Sequence, residues 1–246
     1  MRILVANDDG IDSAHLRTLT AALRDAGHEI TVIAPDCQKS GYSHSLSIRP
    51  KITAKYLPDY MEGVTAYSLA GTPVDCVLLG LEGIVTEKPD MVISGVNDGY
   101  NTGDCVYYSG TFGAAHQGAI FGIPSVALSC DFGCSEDVVK RLCELVIPQL
   151  QHLLTSLPAR SVASFNMPKN ASGEIVICKL DKSFIMDEMK SERLENGDVY
   201  LYTYSMYEPE KPDDDSDVYW LLKRRPTLSV ITDLGTEDSF RLVGNE

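Results

Sequence analysis

Asn7-Asp8-Asp9-Gly10 places two adjacent carboxylates directly after the apolar run Ile3-Leu4-Val5-Ala6. Two unit charges about 4 to 5 Å apart repel by roughly 3 to 4 kcal/mol at an effective dielectric of about 20, so one carboxylate keeps its proton or a cation sits between them. A divalent metal is the simplest remedy. The plainer reading is that one Asp caps the following helix. Three further stretches carry compatible groups. Lys39-Ser40-Gly41-Tyr42-Ser43-His44-Ser45 has hydroxyls that can reach a metal or a phosphate, although a Ser/Gly run also reads as an ordinary turn. Residues 94–104 form a dense polar loop in which Asn97 offers a neutral carbonyl oxygen, a hard ligand for magnesium, manganese or calcium beside two carboxylates. Tyr108-Ser109-Gly110-Thr111 precedes a small-residue helix whose exposed amides, with two hydroxyls, suit a phosphate.

These groups need a scaffold that gathers them. Leu16, Leu19 and Leu23 recur at three- and four-residue spacing between a Ser13 cap and a Gly27 stop, which predicts a helix. Residues 29–34 then read as a strand ended by Pro35. Such a strand, helix, strand unit implies a right-handed parallel crossover in a doubly wound sheet, whose ligands lie beyond the carboxyl ends of the strands. The alternation continues with helices over 75–83, 110–121 and 136–154 and strands over 90–94, 125–129 and 162–165. From about residue 170 the pattern changes to short alternating segments at 174–178, 199–204 and 227–232, read as antiparallel strands or extended arms, with 207–217 as a loop. The expected fold is therefore α/β, a Rossmann-like doubly wound, mostly parallel sheet over residues 1–170, followed by a smaller C-terminal antiparallel β and arm region over 171–246.

Composition narrows the function. With 246 residues, 44% of them hydrophobic, the chain can bury a full core. No apolar run reaches the roughly 20 residues of a membrane span. Asn7-Asp8-Asp9 falls where a signal peptide would need its apolar stretch, so a cytoplasmic location is expected. A net charge of −14 repels a duplex backbone and disfavours a nucleic-acid role, while a small anionic substrate remains compatible if a cation masks the local field. The acids Asp213, Asp214, Asp215 and Asp217 read as a solvated loop. Seven scattered cysteines suggest reduced thiols. Cys130 and Cys134 are near neighbours, but without a second pair or a nearby His they are weak evidence for zinc.

Four tracts together resemble the SurE family, the survival-protein nucleotidases: NDDG at 7–10, APD followed by SG.S.S across 34–45, GTP.DC at 71–76, and SG.N.G.N.GD..YSGT.GAA at 94–115. They stand in the family's order and spacing over roughly the first 130 residues. The resemblance implies that Asp8, Asp9, Ser40 and Asn97 ligate one divalent metal per subunit, magnesium or manganese first and calcium as an alternative. Gly41 belongs to the same SG pair as Ser40 and is placed with the substrate groups. Ser109, Gly110 and Thr111 would hold the phosphoryl group. The implied activity is hydrolysis of nucleoside 5′- or 3′-monophosphates, with some members attacking polyphosphate ends. The implied fold carries arms used in homodimers or homotetramers. In that mechanism Asp8, Asp9 and Asn97 serve catalysis, and Asp9 orients or deprotonates the water that attacks phosphorus. The acid that protonates the leaving oxygen stays open, with His44 a candidate. Two departures stand out: Asp12-Ser13-Ala14 replaces the usual Ala-Pro-Gly, and residues 228–234 only partly match the family's last strand.

Other classes fit less well. A phosphorylated receiver needs an acceptor Asp at the end of the third strand, where this chain has Ser94-Gly95-Val96-Asn97. A haloacid-dehalogenase-type phosphatase needs a second acid two residues after its nucleophile, and Gly10 and Ile11 stand at those places. A catalytically inactive nucleotide- or metal-binding interaction module is the remaining alternative.

Overall fold

The computed structural model describes residues 1–48, 51–182, 187–206 and 212–232. In chain order its elements are β1 (Arg2–Ala6), α1 (Ala14–Asp25), β2 (Glu29–Pro35), β3 (Ala54–Tyr56), β4 (Val64–Leu69), α2 (Pro73–Leu79), β5 (Met91–Asp98), α3 (Gly110–Ile120) and β6 (Ser125–Cys130). There follow α4 (Glu136–Val146), α5 (Leu150–Ser156), β7 (Val162–Met167), β8 (Val176–Ile177), β9 (Asp187–Arg193), β10 (Val199–Met206), α6 (Asp217–Leu222) and β11 (Thr227–Ile231). One nine-stranded sheet has the order β3-β4-β2-β1-β5-β6-β7-β11-β8, and β9 with β10 makes a separate two-stranded sheet. From β4 to β7 every neighbouring pair is parallel. The α/β, mostly parallel architecture agrees with the expectation from periodicity.

The strands that hold the site are apolar because they are covered on both faces. Ile3, Leu4, Val5 and Ala6 of β1 and Val92 and Ile93 of β5 are buried, as parallel strands under helices require. On one face Leu16, Leu19 and Leu23 of α1 pack with Ile3, Val5 and Val32, and on the other Ala114 of α3 packs with Leu4, Ala6 and Val92. Ser13 caps α1, its hydroxyl accepting the Leu16 N–H. The small side chains Ala114, Ala115 and Ala119 let α3 lie close to the sheet.

Several boundaries differ from expectation for identifiable reasons. The helix expected over 136–154 is three pieces, because Pro148 has no N–H and sits in a 3₁₀ turn between α4 and α5. β5 extends past the expected residue 94 to Asp98, with a register shift against β6 between Ser94 and Asn97. β3, β4 and α6 were not expected, since the polar residues around them mask short, half-buried segments. Of the late segments, β11 is antiparallel to β7 and β9 to β10, but β8 runs parallel to β11. The loop read over 207–217 lies partly outside the described residues, at 207–211, as do Asp233 and Leu234 of the partly matching last strand.

Cys130 and Cys134 form a disulfide, which corrects the expectation of reduced thiols for that pair, while Cys37, Cys76, Cys143 and Cys178 are thiols as expected. Asp217 is not a solvated acid as its neighbours suggested but is wholly buried. Among the described residues, no helix is long and apolar enough to cross a membrane.

Candidate active site

The sheet grows outward from β1 in one direction through β2 and β4, and from β5 in the other through β6 and β7. The crevice beyond the carboxyl ends of β1 and β5 is thus the switch point where such sheets bind ligands. Asp8 and Asp9 follow β1, and Asn97 and Asp98 end β5.

Asp8 is buried, 3% exposed. Its carboxylate accepts hydrogen bonds from the hydroxyl and the backbone N–H of Thr111, at the N-terminus of α3. The reading of this acid as the cap of the following helix is overturned, because Ser13 caps that helix and Asp8 bonds the start of α3 about a hundred residues on. Burial pushes the Asp8 carboxyl up to about 6, the Thr111 hydroxyl pulls it down, and the Asp9 charge pushes it up. Gly110 permits the approach, because a Cβ there would lie 2.9 Å from both Cβ and Oδ2 of Asp8.

Asp9 is half-buried and bridges two elements. Its Oδ2 accepts from the backbone N–H of Asp98 at 3.3 Å, and Gln38 bonds its carboxylate from the loop after β2. Burial raises its pKa; the Asp98 amide opposes this, and the Asp98 charge adds to it. The turn that presents both acids is held by Asn7, whose side chain donates to Gly10 O at 3.0 Å and accepts from Gly10 N at 3.2 Å. Gly10 supplies the positive φ of 99° that the turn needs.

Ser40 and Gly41 are exposed on the loop after β2. Lys39 N–H donates to the Asp8 carbonyl at 2.7 Å, which fixes where the loop starts. Further along, Ser43 N–H donates to Tyr108 O at 3.1 Å, and the Thr72 hydroxyl donates to Ser45 O at 2.7 Å. Ser47 donates through its N–H and its hydroxyl to Asp75, at 2.9 and 2.8 Å. The 71–76 tract thereby acquires a physical role. Thr72 and Asp75 form the capping box of α2 and moor the loop that carries Ser40.

Asn97 donates from Nδ2 to Gly99 O at 2.8 Å, which leaves its Oδ1 as the atom to offer a cation. The Ser109 hydroxyl accepts from Phe112 N–H at 2.9 Å as the cap of α3, and the Thr111 hydroxyl is engaged with Asp8. Both residues are buried, so the two hydroxyls expected to meet a phosphate are already occupied in building the helix start. Exposed His44 has its Nε2 within hydrogen-bond distance of Gln117 Oε1, at 2.9 Å.

Asn7, Gln38, Asp98 and Asp217 support the site without having been among its expected residues. Asp217 accepts from Gly103 N–H at 2.9 Å and so anchors the polar loop after β5 from more than a hundred residues away. Burial raises the Asp217 pKa, against hydrogen bonds from Gly103, Asp181 and Val218. Asn7 and Asp98 lay inside the motifs already noted, whereas nothing local distinguishes Gln38 or Asp217.

Residues 3–187 match the family model described as survival protein SurE. The chain is 36% identical over 225 residues to 5′-nucleotidase SurE of Stenotrophomonas maltophilia (strain K279a), covering 90% of this chain and 78% of that protein. It is 36% identical over 228 residues to 5′-nucleotidase SurE of Gloeobacter violaceus, covering 89% and 84%. The crystal structure of the SurE protein from Aquifex aeolicus superposes with a TM-score of 0.80 at 27% identity, over 96% of this chain and 95% of that one.

Proposed function

Because the chain belongs to the survival protein SurE family, we propose that it is a metal-dependent 5′-nucleotidase that hydrolyses nucleoside monophosphates to nucleoside and phosphate at the crevice of β1 and β5. The observation that best supports this reading is the meeting of Asp8 and Asp9 with the N-terminus of α3 and the end of β5. Two adjacent acids whose pKa values are both raised mainly by burial form a donor set that gains from a divalent cation. Asp8, Asp9 and the Asn97 carbonyl oxygen, with Ser40 from the neighbouring loop, would hold one such ion, magnesium or manganese by the hardness of the oxygens. The chemistry supplied by the bound ion is polarisation of phosphoryl oxygens and acidification of water.

The protein's own groups do the rest. Thr111 holds the Asp8 carboxylate still and, by donating to it twice, offsets part of the burial that favours its protonated form. Asp9, poised upward in pKa and half open to solvent, orients the attacking water and takes its proton. The N-terminus of α3 at Ser109, Gly110 and Thr111 faces the phosphate with positive dipole and stabilises the charge that develops. Ser40 and Gly41 close the crevice from the loop moored by Asp75. Hydrolysis of 3′-monophosphates and of polyphosphate ends, a homodimeric or homotetrameric assembly through residues 171–246, and a cytoplasmic location complete the reading.

The test is phosphate release from a panel of 5′- and 3′-nucleoside monophosphates by chelator-stripped protein resupplied with magnesium, manganese, calcium or zinc. Metal-restored release that is lost in Asp9→Asn is expected. Full activity in that variant refutes the assigned chemistry, and absence of release under every metal refutes the enzyme.

A further inference from the structure

Beside the nucleotidase crevice, and joined to it through the Asp98 N–H that bonds Asp9, four potential ligands from four elements meet. His15 lies in the first turn of α1, Asp98 ends β5, Cys130 ends β6, and Cys134 sits in the turn that follows. One ligand atom from each lies within 4.8 Å of the others. The sulfurs of Cys130 and Cys134 approach the His15 ring at 4.0 Å from Nδ1 and 3.9 Å from Nε2. Asp98 Oδ1 accepts from Gly133 N–H at 2.6 Å, which ties the carboxylate to the turn that bears Cys134. Cys130 and Cys134 are buried and His15 and Asp98 half-buried, so the cluster has a dry sulfur side and an open side for entry.

We propose that His15, Asp98, Cys130 and Cys134, with both cysteines reduced, form a binding site for a zinc-type divalent cation, and that the Cys130–Cys134 disulfide is the closed, metal-free state of that site. Zinc takes thiolate, imidazole and carboxylate ligands tetrahedrally, at about 2.0 to 2.3 Å, which sets ligand atoms about 3.3 to 3.8 Å apart. The observed spread needs only side-chain adjustment to reach that geometry. Two soft sulfurs and one nitrogen distinguish the cluster from the all-oxygen set of Asp8, Asp9, Ser40 and Asn97, so the two sites select different metals. A disulfide needs neither an imidazole nor a carboxylate against it, and one that spans so few residues removes little entropy from the unfolded chain. A metal explains why all four are gathered.

Opening the site takes two electrons either from a dithiol, which gives up its two protons and becomes a disulfide, or from a phosphine, which becomes the phosphine oxide while water supplies the oxygen and the two protons, and yields two thiols. Binding of Zn²⁺ or Co²⁺ then displaces both thiol protons and leaves two thiolates on the ion.

The experiment uses the full chain, reduced anaerobically with a phosphine and held in excess magnesium to occupy oxygen sites, then titrated with Co²⁺. The expected result is a sulfur-to-cobalt absorption with intense tetrahedral visible bands, saturating at one ion per chain and erased by Zn²⁺. The bands should be absent from the oxidised protein and from Cys134→Ser, and retained in Cys37→Ser, whose thiol is free and exposed. His15→Ala should weaken cobalt binding by roughly tenfold or more, with an unchanged circular dichroism spectrum showing that the fold is kept. Absence of the bands from the reduced protein, their persistence in Cys134→Ser, or unchanged affinity in His15→Ala overturns the proposal.

Discussion

The Thr111 hydroxyl donates to the Asp8 carboxylate across 103 residues of sequence, joining the start of α3 to the end of β1 inside the buried floor of the crevice. Thr111→Val keeps the shape and deletes the donor. A hydrogen bond to a charged group is worth about 1.5 to 3 kcal/mol, so the Asp8 pKa should rise above its present value near 6. The acid limb of the kcat/KM profile should move to higher pH and return in Thr111→Ser. An unmoved limb would show that Asp8 does not govern it.

The raised pKa of Asp8 also makes a stability prediction for metal-free protein. The folded state holds the Asp8 proton more tightly than the unfolded chain, with a pKa of about 6 against 3.8. The group's contribution to stability is therefore present at low pH and is lost as pH rises through about 6. A gap of about two pH units corresponds to roughly 3 kcal/mol. Urea midpoints of chelator-treated protein between about pH 4 and 7 should carry this slope, and Asp8→Asn should lack it and be the more stable at pH 7.

Gly110→Ala places a methyl group where only 2.9 Å separates it from Asp8. Alanine suits a helix, but this contact with buried Asp8 forces a shift, so the variant should lose about 1 to 3 kcal/mol of stability, and displacement of Asp8 by a fraction of an ångström to one ångström should cost about 10²-fold in kcat/KM. Wild-type kinetics in this variant would mean that the α3 start and Asp8 tolerate separation.

Asp75 lies in no part of the crevice, yet it moors the loop bearing Ser40 through Ser47 and Thr72. Burial pushes its carboxyl up, but hydrogen bonds from Ser47 and Thr72 outweigh this and hold it below the ordinary range. Asp75→Ala should cost about 1 to 2 kcal/mol of stability, raise KM more than it lowers kcat, and hasten proteolysis within residues 38–48. Unaltered proteolysis there would show the loop to be held by other contacts.

How much of this was legible in the chain depends on the range of each interaction. α1 declared itself because Ser13, the leucine spacing and Gly27 are all local signals, and β1 and β2 because apolar runs between turns are too. β5 was cut short at Ser94 because Asn97 and Asp98 look like loop residues, and only the sheet shows them ending a strand. Asp8 and Asp9 were visible as a charge problem, but Thr111 as the answer to it was not. Asp217 looked solvated beside three exposed-type acids, and its bond to Gly103 spans 114 residues. His15 and Cys130 stand 115 apart in sequence, so the absence of a nearby His was a statement about the chain and not about space.

β1 lies between β2 and β5, and that placement fixes a timetable. As the chain leaves the ribosome, the acids of β1 emerge before their partners, find β2 within some thirty residues, and then wait until residue 98 for their second neighbour and until Thr111 for their clamp. A nascent chain that stops before that point carries an open strand edge and two unpartnered charges. Such long-range pairing is slow and exposed to misassembly, so the interval between residues 36 and 111 is the stretch of synthesis over which the second edge of β1 stays without its partner.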